Sequence, residues 1–256
     1  MNPLTRAYIL YDAYRNRRLI ERSQQKMKDI SIAKWVSLID VQPKKGEYPL
    51  TPNYANELKK RLDWISEYKN VKPFTDRTVL IGDSLSDFTR KELTCVDKRL
   101  NLALAGQASS FYDSILKDTF QSLQAVNPEY LIIECFGNEL LSYYDIQVVK
   151  EHATRTFKLA RSLYPNAKII LGGLPPVYDV YVNTVKIEFT NHLLSLVNTD
   201  SNSCLVILEK HFAGLFGVFP KIDYSSDGVH FAGKGIIEYD KLMNEAKRTK
   251  AKVIGY

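Results

Sequence analysis

The chain has 256 residues, a formal charge of +6 at pH 7 and a pI near 9.0. Hydrophobic residues at 45% and charged residues at 25% are the balance of a globular domain, which excludes disorder over most of the length. No run reaches the roughly 20 apolar residues of a membrane span, and three scattered cysteines, Cys95, Cys135 and Cys204, exclude a disulfide scaffold.

Cys135 and Cys204 lie in apolar runs and read as buried small hydrophobes. The positive charge reads as a lysine-rich surface. No basic run is interleaved with aromatics, so no nucleic-acid partner is expected. The densest basic cluster, 247–252, reads as the solvated end of a helix. The start of the chain, Met1-Asn2-Pro3-Leu4-Thr5-Arg6, lacks the apolar core of a secretory leader, so the expected location is cytoplasmic.

Residues 1–75 carry no strong strand pattern and are expected to form a helical N-terminal extension. Leu4, Tyr8, Ile9, Tyr11 and Tyr14 are spaced for part of a helical face, which Leu19 and Ile20 extend. Residues 43–52 are turn-rich. A helix is predicted over 53–68, with Thr51 or Asn53 near its cap and Leu58, Leu62 and Ile65 on one face. Lys72-Pro73 marks a boundary. The extension has three readings: packing that completes a core, a lid, or a surface for a homo-oligomer.

Residues 76–256 alternate strand and helix. Apolar strands are predicted at 78–81, 100–104, 130–135, 168–171 and 204–208. Helices are predicted at 109–125, 145–163, 183–196 and 233–247. Continuous apolar strands separated by helices imply a parallel sheet covered on both faces. With right-handed crossovers, that is a three-layer α/β/α domain with a doubly wound, mostly parallel, five-stranded sheet.

The first strand runs into Gly82-Asp83-Ser84-Leu85, which places Ser84 at the rim where open sheets bind ligands. A helix is expected to begin near Ser86 or Asp87, and backbone amides at such a junction can face a developing negative charge. On its own the segment also fits a strand-to-helix turn whose Asp and Ser serve as caps. A serine hydroxyl needs a base to become a nucleophile. Of four histidines, His152 reads as a surface residue of a polar helix, His192 precedes an apolar helical face, and His211 follows Glu209-Lys210. Only His230 has an aspartate three positions earlier with a glycine between, in Asp227-Gly228-Val229-His230. On a tight turn Asp227 can accept from Nδ1–H of His230 and leave Nε2 facing a serine. Asp227 also fits a loop cap before the last helix.

Four blocks in this order resemble the SGNH hydrolase superfamily, also called GDSL esterases and lipases: Gly82-Asp83-Ser84-Leu85, then 101–106 ending in Gly106, then Phe136-Gly137-Asn138-Glu139, then Asp227-Gly228-Val229-His230. The stretch 169–176 is similar to the family's fourth strand and the loop after it. The resemblance covers 76 to about 248 and implies a flavodoxin-like SGNH fold. It also implies a carboxylic ester hydrolase with Ser84 as nucleophile, His230 as base and Asp227 as its partner. By the same resemblance the oxyanion hole is formed by Ser84 N–H, Gly106 N–H and the Asn138 side-chain amide. The third block departs from the family's Gly-x-Asn-Asp: glycine sits next to Asn138, and Glu139 stands where Asp is usual.

No metal or organic cofactor is required by this chemistry, and no metal-ligand cluster is visible in the sequence. The expected substrate is a small-molecule or carbohydrate ester with a short acyl group, acetyl favoured. Lysophospholipase, lipase or thioesterase activity is the alternative on the same fold. A binding protein without turnover is the rival outside the enzyme class. Tyr178 and Tyr181, after Pro175-Pro176, lie near the expected cleft and suit either sugar stacking or loop packing.

Overall fold

The computed structural model describes residues 52–71, 74–107, 123, 126–142, 144–177, 179–214, 220–221, 223–225 and 227–255. Expectations for 1–51, for most of the helix at 109–125 and for Tyr178 lie outside these residues. In chain order the elements are α1 (Pro52–Val71), β1 (Thr78–Gly82), α2 (Ser84–Phe88), β2 (Tyr130–Glu134), α3 (Gly137–Leu141), α4 (Ile146–Leu163), β3 (Lys168–Gly172), α5 (Val180–Asn198), β4 (Ser203–Val206), α6 (Glu209–Phe212), α7 (Lys234–Arg248) and β5 (Val253–Ile254).

The described strands form one parallel sheet in the order β1-β2-β3-β4-β5, with Val79 opposite Leu131, Leu131 opposite Ile169 and Leu171 opposite Leu205. Every residue of β1 and β4 is buried. Successive side chains point to opposite faces, so this burial requires cover on both. Helix α7 packs on β3, β4 and β5, and its Tyr239 hydroxyl meets Ser86 of α2. Helices α3, α4 and α5 pack on one another.

The α/β fold and the five-strand count are as expected, but the membership of the sheet differs. The predicted strand at 100–104 makes a single parallel bridge, Leu80 to Asn101. It still runs along β1 through three backbone bonds, Leu80 N–H to Leu100 O, Leu102 N–H to Leu80 O and Leu104 N–H to Gly82 O. The fifth strand is instead Val253–Ile254, too short to show a strand period in the sequence. Chain therefore leaves β1 towards opposite sides, to 100–104 and to β2, which makes the C-terminal end of β1 a topological switch point.

Helix α1 carries Leu58 and Ile65 into the same buried cluster as the strands, with Leu62 against it. Asp145 and Asp179 cap α4 and α5 by accepting from Gln147 N–H and Val182 N–H. Two surface expectations are corrected. His152 is 1% exposed, because it shares a helical face with Val149, Ala153 and Thr156. Lys247 is not a free helix end: its Nζ donates to Asp76 Oδ2 at 2.7 Å and to Cys95 O at 2.9 Å. No helix among the described residues is long and apolar enough to cross a membrane.

Candidate active site

Strand β1 delivers Ser84. The Asp83 N–H extends the ladder to Glu134 O at 3.0 Å, and the Asp83 carboxylate then caps α2 by accepting from Leu85 N–H at 3.0 Å. The helix thus begins at Ser84, two or three residues earlier than expected, and Ser84 N–H falls among the first-turn amides that have no partner within the helix. Ser84 is 8% exposed.

The loop before α7 delivers the other two groups. Gly228 has φ 81°, a left-handed turn open to glycine, which folds Asp227 back over the residues that follow it. Asp227 Oδ1 accepts from Val229 N–H at 2.9 Å and His230 N–H at 2.8 Å. Its Oδ2 lies 2.6 Å from His230 Nδ1, and His230 Nε2 lies 2.9 Å from Ser84 Oγ. Burial pushes the Asp227 carboxyl up, but the hydrogen bonds from the His230 ring and backbone outweigh it and hold the group down at about 2.

Asn138 lines the same small cavity as Ser84, and its amide donates to Gln107 O at 2.6 Å. Gly106, beside Gln107, has φ 78° in the turn that follows Leu104. The glycine next to Asn138 has a physical reason: a Cβ on Gly137 would stand 2.9 Å from Asp83 Oδ2. The cavity encloses about 20 Å³ and is walled by Leu85, Leu141, Leu174, Pro175, Val177 and Val182. The Phe88 ring, which does not line this cavity, lies 4.9 Å from the His230 ring, centroid to centroid, and is 60% exposed.

No family model and no curated protein matches the chain by sequence. Solved structures do match. A GDSL-like lipase from Bacteroides thetaiotaomicron superposes with a TM-score of 0.59 at 14% identity, covering 74% of this chain and 98% of the lipase. A Bacteroides fragilis protein assigned as an acylhydrolase gives a TM-score of 0.57 at 16% identity, over 69% of this chain and 89% of its own. The chain has the GDSL-like lipase fold. In this GDSL-like frame, Ser84, His230 and Asp227 are hydrogen-bonded in series, although they come from opposite ends of the domain's sequence.

Sequence reasoning missed what lies beneath Ser84. Ser86 Oγ donates to Glu134 Oε2 at 2.8 Å and lies 3.2 Å from the Tyr239 hydroxyl, all three side chains being buried. Burial, then the neighbouring Asp83 charge, pushes the Glu134 carboxyl well up. Burial also pushes Asp83 up, to about 7, against the Leu85 N–H that lowers it. A carboxylate on an apolar strand such as β2 is the signal that could have found this layer. Phe88 and the cavity walls Leu141, Val177 and Val182 carry no sequence signal of their own. Tyr181 is half-buried against the core.

Proposed function

We propose that the chain is a serine ester hydrolase acting on a short acyl group, an acetyl ester of a carbohydrate being the favoured substrate. The observation that carries this is the unbroken series Asp227 to His230 to Ser84 at 2.6 and 2.9 Å. Asp227, held ionised, fixes the imidazole with its proton on Nδ1, so Nε2 accepts the proton of Ser84 Oγ as that oxygen attacks the ester carbonyl. The tetrahedral oxyanion is held by Ser84 N–H, Gly106 N–H and the Asn138 amide. His230 then protonates the departing alcohol. Water, activated by the same Nε2, hydrolyses the acyl-enzyme, and no cofactor enters these steps.

The cavity beside Ser84 supports a small acyl group. About 20 Å³ of apolar space beside Ser84 takes one water-sized group, the methyl of an acetyl. The alcohol must leave past His230 Nε2, where the exposed Phe88 ring offers a face for the apolar side of a sugar.

The test is hydrolysis of p-nitrophenyl acetate, butyrate and octanoate by the protein and by Ser84→Ala. The expected result is turnover that prefers acetate and falls to background in the variant. Octanoate preference would replace the substrate with a lipid ester. No turnover on any of the three by a folded protein would leave a narrow natural substrate or a binding protein.

A further inference from the structure

A second concave site, with no triad residue in its lining, lies between α1 and residues 90–99. Lys60, Arg61, Arg90, Lys91, Lys98 and Arg99 line a cavity of about 530 Å³. The carboxylates that face these six cations are Glu57, Asp87 and Asp97. Their ion pairs are with arginines: Glu57 and Asp87 with Arg61, Asp87 with Arg90 at 2.7 Å, and Asp97 with Arg99, while the Lys98 charge also favours the ionised Asp97. Lys60, Lys91 and Lys98 are exposed, and among the described residues no carboxylate lies within ion-pair distance of them. Crowding like charges around one concavity raises the free energy of the empty protein and focuses a positive potential into it.

The arginines are already ordered. Ala103 O accepts from Arg61 Nη1 at 2.5 Å and from Arg90 Nη2 at 2.8 Å. Binding then costs little further ordering of the arginines. Guanidinium forks suit tetrahedral oxyanions, and ammonium groups supply further point charges. The volume far exceeds one phosphate, and the cations are spread around it.

We propose that this cavity binds a small molecule carrying two or more adjacent phosphate groups. The site stands apart from the ester-hydrolase reading, and its failure would leave that reading intact.

The experiment is calorimetric titration at constant ionic strength with pyrophosphate, orthophosphate and sulfate, on the protein and on Lys60→Gln/Lys91→Gln/Lys98→Gln. These lysines are exposed, so the variant is expected to fold, as circular dichroism would verify. Pyrophosphate should bind about tenfold more tightly than orthophosphate, and about tenfold more weakly to the variant. Hydrolysis of p-nitrophenyl acetate by the variant should be unchanged. Equal affinity for the two phosphates, or unchanged pyrophosphate affinity in the variant, would overturn the proposal. Vesicles with a bisphosphorylated inositol headgroup form a parallel arm. Binding to them together with pyrophosphate would assign the phosphates to a lipid headgroup, and binding to pyrophosphate alone to a free ligand. Retention on vesicles or RNA without pyrophosphate binding would also overturn it.

Discussion

The Asn138 side-chain amide donates to Gln107 O at 2.6 Å, which ties α3, the helix after β2, to the loop that carries Gly106. Two segments that flank β1 on opposite sides are thereby locked at the mouth where Ser84 sits. A donor set for an oxyanion has to be held before the charge develops, since its value lies in needing no reorganisation.

Asn138→Ala is therefore expected to lower kcat for p-nitrophenyl acetate by about 10²–10³, with KM little changed. Asn138→Asp should not restore the rate, because a carboxylate supplies no donor. Steady-state kinetics separates the two parameters. A loss confined to KM would show that Asn138 serves ground-state binding only.

Asp227→Asn tests the carboxylate by itself. The asparagine oxygen can keep the bonds from Val229 and His230 N–H, but its NH₂ would face Nδ1 and force the ring proton onto Nε2, towards Ser84. A fall in kcat on the order of 10⁴ is expected. A variant that keeps its fold and more than about a tenth of the rate would remove Asp227 from the mechanism.

Much of this was legible in the sequence, for a physical reason. A fully buried strand such as β1 must be apolar throughout, and an aspartate that caps α2 must follow it closely, so Ser84 could be placed at the sheet rim. Residues whose setting depends on distant neighbours were not legible. His152 looks polar among Glu151 and Arg155, yet its helical face is the buried one. Lys186 is 1% exposed while the adjacent Ile187 is 62% exposed, the reverse of their hydropathy, because Lys186 Nζ meets Glu209 Oε1 at 2.6 Å. The strand Val253–Ile254 exists only through pairing with β4.

If the cavity beside Ser84 takes the acyl group, its walls should set chain length. Val177→Ala or Leu174→Ala removes apolar bulk beside Ser84, and the butyrate-to-acetate ratio of kcat/KM is expected to rise about tenfold. An unchanged ratio in both variants would place the acyl group elsewhere.

Phe88→Ala addresses the alcohol side. With an acetylated sugar, kcat/KM is expected to fall about fivefold, the worth of one aromatic contact. Methyl acetate has no ring to stack and should react at the same rate in both proteins. An equal fall with both esters would mean that Phe88 acts by orienting His230, not by touching substrate.

The buried carboxylates beneath Ser84 should be visible in stability against pH. Asp83 has a folded value of about 7 against an ordinary 3.8. Below 3.8 both folded and unfolded chains hold this proton. As pH rises to about 7 the unfolded chain releases it and the folded one keeps it, so stability falls across that window and levels above it. Glu134, also raised, adds to the same slope. Asp227 acts in the opposite direction only in more acidic solution, between about 2 and 3.8. Asp83→Asn can still cap α2 through Leu85 N–H and carries no titrating proton. Urea unfolding at intervals across the window should show a shallower decline in Asp83→Asn than in the parent, and a shallower one again when Glu134→Gln is added. Parallel curves for all three proteins would mean that neither carboxyl changes its protonation with folding.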